Sequence, residues 1–338
     1  MIAAVLHGPR DLRVLASPDP VADGDQVVVR VAAAGLCGTD YSIWSGDRPV
    51  AYPRIMGHEF LGDVVAVARG VTRVAVGDRV VVEPNYSCGR CPLCAEGNRN
   101  LCLSRTAVGI DADGGFAELA RVPARCCWSV PAGLAEDDAL LAEPLAVVVR
   151  AVQRGGVRPG ETAAVLGAGT LGLLALQVLK ARGARVLVVS RTPRRFELAR
   201  RLGAEATHVA GEGALETTAR AFSGREGVDL VVETAGTPEA AGHALSLVRP
   251  AGRIVLTGLP HAAAPLSIFT IVRREVSIFG SMIYQDEFPE AVRLLAEGRV
   301  RGAPLITHRF GLDAIAEAFV AHRDPASIKV AVLPSGPV

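Results

Sequence analysis

Short valine-rich runs, closed by glycine or proline, fill the chain up to about residue 130. QVVVRVAAAG (26–35), GDVVAVARG (62–70) and DRVVVEP (78–84) have the length, β-branched content and flanking turn residues of strands, which predicts an all-β region joined by loops. Near residue 150 the pattern changes. TAAVLGAG is followed by TLGLLALQVLKARG, then ARVLVVS, RRFELARRLGA, VDLVVETAG, PEAAGHALSLV and GRIVLTG. Strands alternating with helices in this way predict a parallel sheet covered on both faces, extending to about residue 283. The tail predicts a helix over 288–298 (FPEAVRLLAEG), a second near 312–321 and a closing strand over 328–333 (IKVAVL).

At 338 residues the chain exceeds one ordinary core, so two domains are expected. Basic and acidic side chains number 36 and 35, a formal net charge of +1, which speaks against a nucleic-acid surface or an anionic membrane as partner. Lysine occurs only at Lys180 and Lys329; the other basic residues are arginine. The stretch from Thr162 to Leu179 carries no charge, but it is marginal in length for a membrane span and has three glycines near its start. A buried strand turning into a buried helix accounts for it better. The opening MIAAVLHGPRDLRV lacks a basic leader, so the expected compartment is the reducing cytoplasm, where close-set cysteines more often bind metal than each other.

CGRCPLCAEGNRNLC places Cys88, Cys91, Cys94 and Cys102 within fifteen positions. That spacing lets one loop offer four thiolates to a single zinc, with Gly89 and Gly97 supplying backbone freedom. Adjacent disulfides would strain there, and ferredoxin runs end on a different spacing. A filled four-thiolate set has no open position, so this zinc is expected to be structural. Elsewhere, Cys37 in AGLCGTD, His58 and Glu59 in RIMGHEFLG, and Glu143 in the apolar run LLAEPLAVVV are candidates for a second, open metal site. A lone cysteine or histidine is usually a packing residue. Presented together with a carboxylate set in an apolar run, they form a plausible zinc shell that keeps a place for water or substrate.

With Cys37-Gly38-Thr39-Asp40, GHEFLGDVVAVARGV, the following Gly77-Asp78, the four-cysteine lobe and Glu143-Pro144, the chain resembles the zinc-dependent medium-chain alcohol and polyol dehydrogenases, in the sorbitol, threonine and butanediol dehydrogenase branch. The resemblance covers essentially the whole length. It implies an α/β chain with a GroES-like, mostly-β catalytic domain over 1–149 and 284–338, including a zinc lobe at 85–104, and a Rossmann-type doubly wound domain over 150–283. It also implies two zinc ions per chain. Cys37 and His58 would hold the catalytic one with Glu59 and Glu143 as direct or alternating ligands; Cys88, Cys91, Cys94 and Cys102 would hold the structural one. Thr39 matches the family's hydroxyl that passes the alcohol proton outward. Where threonine and sorbitol dehydrogenases usually carry a histidine, this chain has Ser42, which counts against a threonine-type amino-alcohol dehydrogenase.

Gly167-Ala168-Gly169-Thr170-Leu171-Gly172 follows the strand TAAVL and opens an apolar helix, the setting in which a GxGxxG run marks a dinucleotide site. NAD-binding sheets place an acid at the end of the next strand for the ribose hydroxyls. Here that position is Ser190, followed by Arg191 and, a helical turn on, Arg195. A missing carboxylate and added guanidiniums suit a 2′-phosphate, so NADP is favoured over NAD. The expected reaction is hydride transfer between a secondary alcohol and the nicotinamide, with zinc favouring the alkoxide. The expected substrate is a small alcohol or ketone: a polyol, sugar, cyclitol or vicinal diol. Trp44, Phe116 and Tyr284 are candidate pocket residues that also suit packing, and Cys126 and Cys127 are expected to be inert on opposite faces of a strand. A homodimer or homotetramer is expected from the family. The rival readings are an amino-alcohol dehydrogenase and a non-catalytic zinc- and nucleotide-binding structural protein.

Overall fold

The computed structural model describes residues 1–260 and 262–336. It forms two compact units. The first takes Met1–Glu143, Ala291–Ala296 and the chain from Arg301 onward; the second takes Pro144–Glu290 and Glu297–Val300. The division therefore falls at Glu143 rather than 149, and 284–290 go with the second unit. Both positions lie in the helix Ala142–Gly155, which carries the chain from the first unit into the second. The buried pair Arg150–Glu287, 3.1 Å, ties residue 287 to that same helix.

In the first unit the strand Gln26–Leu36 is central. It pairs antiparallel with Glu59–Val67, Leu119–Pro123 and Lys329–Leu333. Its valines at 27, 29 and 31 are fully buried in a core shared with Phe60, Phe116, Phe319 and Val332. The registers at its end bring distant parts of the chain together: Gly35 faces Glu59, and Leu36 faces Val330. The strand ends in a tight entry to the helix Gly38–Ser45, whose N-cap is Cys37 and whose C-cap is Gly46 in the left-handed region. Cys126 closes a short 3-10 turn and Cys127 opens the strand Cys127–Ser129. Only Cys127 lies in the strand, so the two do not take opposite strand faces as expected; both are buried, and burial pushes the Cys127 thiol up to about 12.

The second unit is a six-stranded parallel sheet. From edge to edge it runs Ala206–Val209, Arg185–Ser190, Thr162–Leu166, Val228–Glu233, Val248–Leu256 and Ser277–Gly280. Strand order reverses between Thr162–Leu166 and Val228–Glu233. The uncharged stretch resolves into the fully buried strand Thr162–Leu166 and the helix Thr170–Ala181. Leu173, Leu174, Leu176 and Leu179 of that helix are completely buried, each worth roughly 1.5–3 kcal/mol of hydrophobic stabilisation. Among the described residues no helix is long and apolar enough to cross a membrane.

Candidate metal centres and nucleotide cavity

The end of the strand Gln26–Leu36 and the start of Glu59–Val67 lie side by side, which carries Cys37 to His58 and Glu59. One donor atom from each of these three residues falls within 4.8 Å of the others. His58 and Glu59 are buried, and Cys37 is half-buried. Gly35 makes room for the carboxylate: a Cβ there would stand 2.6 Å from Glu59 Oε2. Thiolate, imidazole and carboxylate together are a donor set suited to zinc. Glu143 is not part of this group. It opens the helix Ala142–Gly155, and its charge contributes to raising the pKa of Lys329. Thr39 is half-buried in the first turn after Cys37.

Two residues beyond the candidate ligands organise the group. Asp40 is fully buried: Oδ2 accepts from the Cys37 amide at 2.9 Å, and Oδ1 lies 3.3 Å from His58 Nδ1. A carboxylate on one imidazole nitrogen fixes the ring and leaves the other nitrogen for a metal. Burial opposes charge on both partners, yet their mutual attraction wins: Asp40 is held below its ordinary value and His58 well above it. Lys329, 3% exposed, donates to Glu59 Oε2 at 2.5 Å and to the Leu36 carbonyl at 3.3 Å. Burial again opposes the charge, and Glu59 and Cys37 overcome it and raise the ammonium pKa. The signal for Lys329 was in the composition: an otherwise arginine-rich chain keeps a compact ammonium there. Phe116 and Trp44 pack on Phe319, at 6.2 and 5.4 Å between ring centroids, so Phe116 belongs to the core. Tyr284, in the second unit, packs on Phe288 at 5.6 Å.

The four lobe cysteines also converge within 4.8 Å. Sulfur–sulfur distances are 3.5 Å for Cys91–Cys94 and Cys88–Cys102 and 3.9 Å for Cys91–Cys102. A tetrahedron with Zn–S bonds of about 2.3 Å has edges of about 3.8 Å, so the residues fit a zinc ion. All seven cysteines are free of disulfides. Backbone N–H groups of Leu103 and Cys94 lower the Cys91 thiol to about 6, favouring the thiolate a metal needs.

In the second unit a cavity of about 470 Å³ opens at the carboxyl ends of the strands, lined by Gly167, Gly169, Ser190, Arg191 and Arg195 among others. Leu171 and Gly172 lie behind it in the helix start. A Cβ on Gly172 would stand 1.9 Å from the Gly167 carbonyl oxygen, so glycine there permits the close helix–strand approach. A Cβ on Gly169 would meet only Arg195 Nη1, at 3.8 Å, leaving the backbone open to a phosphate. Ser190 Oγ accepts from the Thr192 amide at 3.1 Å, and Arg195 donates to the Ala168 carbonyl at 3.3 Å.

A nucleotide-binding sheet carried in one chain with a mostly-β unit bearing an open and a closed metal-donor set defines a metal-dependent dehydrogenase. Comparison with known proteins agrees. Residues 23–132 match the alcohol dehydrogenase GroES-like domain family, and residues 170–297 match the zinc-binding dehydrogenase family. Sorbitol dehydrogenase of Bacillus subtilis is 35% identical over 94% of this chain and 92% of its own length. Two solved structures superpose closely. One, from Sinorhizobium meliloti, is described as a zinc-binding dehydrogenase bound to NADP, with TM-score 0.95, 33% identity and coverage of 98% of this chain and 99% of that one. The other is an Escherichia coli alcohol dehydrogenase complexed with NADH, with TM-score 0.93, 33% identity and coverage of 99% of each chain. The chain belongs to the zinc-dependent medium-chain dehydrogenase family, and is an oxidoreductase of the alcohol dehydrogenase type.

Proposed function

We propose that the protein moves a hydride between a secondary alcohol of a polyol, sugar, cyclitol or diol and NADP, using one catalytic and one structural zinc. The observation that carries this reading is the convergence of Cys37, His58 and Glu59 on one point, with Asp40 and Lys329 buried behind them. A zinc ion on those donors supplies Lewis acidity to the alcohol or ketone oxygen. Asp40 keeps the His58 ring in one orientation, and Lys329 holds the charge of Glu59 in a site where an unpaired carboxylate would be costly. Thr39, in the turn after Cys37, takes the alcohol proton toward solvent. Glu143, in the first turn of the helix Ala142–Gly155, serves in this reading as a direct or alternating ligand. The lobe cysteines hold the second zinc and perform no chemistry.

Polyol chemistry is supported by the sorbitol dehydrogenase relative. NADP is supported by Ser190 and Arg191 on the cavity wall and by the relative solved with NADP. Replacing Ser190 with aspartate is expected to lower the NADP-over-NAD ratio of kcat/KM by about tenfold or more, the effect of one unfavourable charge contact of roughly 1.4 kcal/mol. Steady-state kinetics with both coenzymes checks this, and an unchanged ratio would refute the 2′-phosphate site. A homodimer or homotetramer is part of the reading: the edge strand Ser277–Gly280 pairs on one side, and the neighbouring helix Ile268–Arg274 exposes Ile268, Phe269 and Val272. The compartment is the cytoplasm. The decisive experiment combines zinc content per chain with absorbance of reduced nicotinamide across a polyol panel and both coenzymes. About two zincs and alcohol-dependent reduction are expected; a single tightly held zinc with no turnover would sink the proposal.

A further inference from the structure

The nucleotide cavity carries charge of both signs on its wall. Arg191 directly follows the strand Arg185–Ser190, and Glu239 lies in the first turn of the helix Pro238–Leu247, which follows the strand Val228–Glu233. Those two strands flank Thr162–Leu166 on either side, so the arginine and the acid come to the cavity from opposite sides of the glycine turn. Among the described residues Glu239 is the one acid on the wall, which it shares with Arg191, Arg195 and His243. Its carboxyl is held below the ordinary value, first by its own amide and the Thr237 hydroxyl at the helix start, then by the charges of Arg191 and His243. The helix start therefore keeps this acid ionised and in place, within the field of the guanidinium.

A 2′-phosphate brings a charge of about −1.5 to −2 at neutral pH and takes arginine as its natural partner. In this cavity the arginine already has an acid attending it. NADP must draw Arg191 away from Glu239 and also bear the repulsion of that carboxylate. NAD, with a neutral hydroxyl at the same place, meets neither cost. Arg191 and Glu239 are both exposed, so water and salt weaken the effect without removing it. Glu239 thus works against the preference that Ser190 and Arg191 establish.

We propose that Glu239 sets the coenzyme preference of this protein by competing with the NADP 2′-phosphate for Arg191, which keeps NAD in use alongside NADP. The inference rests on the proposed 2′-phosphate site and goes beyond it in naming a residue that opposes it. The test measures dissociation constants of NADPH and NADH by fluorescence titration of the full zinc-loaded chain. Wild type, Glu239→Gln, Glu239→Lys, Arg191→Ala and the Arg191→Ala/Glu239→Gln double variant are compared at about 0.02 M and about 0.3 M salt. Glu239→Gln is expected to tighten NADPH about threefold and to leave NADH within about twofold of wild type. Glu239→Lys should raise the preference for NADPH about tenfold. Both effects should shrink at the higher salt, a response that loss of a helix-capping side chain would not give. With Arg191 replaced by alanine, Glu239→Gln should tighten NADPH less, because the contested partner is gone. An unchanged ratio in Glu239→Gln, an equal change in both constants, or an undiminished effect without Arg191 overturns the proposal. So does weaker NADH binding with NADPH unaltered, which would make Glu239 a ribose ligand instead. If Arg191→Ala lowers the NADPH preference while Glu239→Gln leaves it alone, only this assignment fails; if Arg191→Ala leaves it alone too, the 2′-phosphate reading fails with it.

Discussion

Replacing His58 with alanine is expected to lower kcat/KM by at least about 10³-fold, because the open donor set loses its imidazole and several kcal/mol of Lewis-acid stabilisation with it. The fold should survive. His58 immediately precedes a well-packed strand pair whose core is supplied by Phe60, Val64 and Val29, none of which depends on the ring. The variant should therefore show a circular dichroism spectrum like that of the wild type and about one zinc per chain, kept by the cysteine lobe. Full turnover in His58→Ala would strip the open donor set of its catalytic role. A second readout is built in: with the imidazole gone, Asp40 loses the partner that holds its carboxyl low, so it becomes a buried acid stabilised only by the Cys37 and Gly57 amides and by Lys329.

The second large effect concerns stability. Serine in place of Cys94 is expected to release the lobe zinc, expose 85–104 to proteolysis and lower the thermal midpoint by about 10 °C, in line with several kcal/mol lost from a structural site. The reason is that the lobe has almost no core. Between 85 and 104 only Asn100 and Cys102 are buried, the short helix Pro92–Ala95 buries nothing, and Leu101 and Leu103 point outward. With so little apolar surface removed from water, the thiolate–metal bonds must supply the folding energy. Limited proteolysis and differential scanning calorimetry, with zinc counted by mass spectrometry, check the outcome. A protease-resistant Cys94→Ser chain with an unchanged midpoint would show that the lobe stands without its metal.

Legibility followed distance along the chain. The four-cysteine lobe and the Gly167–Gly172 turn are local: spacing alone decides which donors or amides converge, and the residues show it directly. The division at Glu143 and the burial of both Cys126 and Cys127 were not visible, because each depends on where an unbroken helix or a 3-10 turn begins. In sequence Asp40 is one letter of the Cys37–Asp40 motif. Its work became evident once the sheet register had carried Gly57 and His58 over it, seventeen and eighteen residues away.

The Lys329–Glu59 pair spans 270 positions and is delivered by the strand Lys329–Leu333, which pairs with Gln26–Leu36. During translation, Cys37, His58 and Glu59 leave the ribosome long before the ammonium that neutralises them. The buried ion pair is thus completed by the same strand docking that completes the sheet.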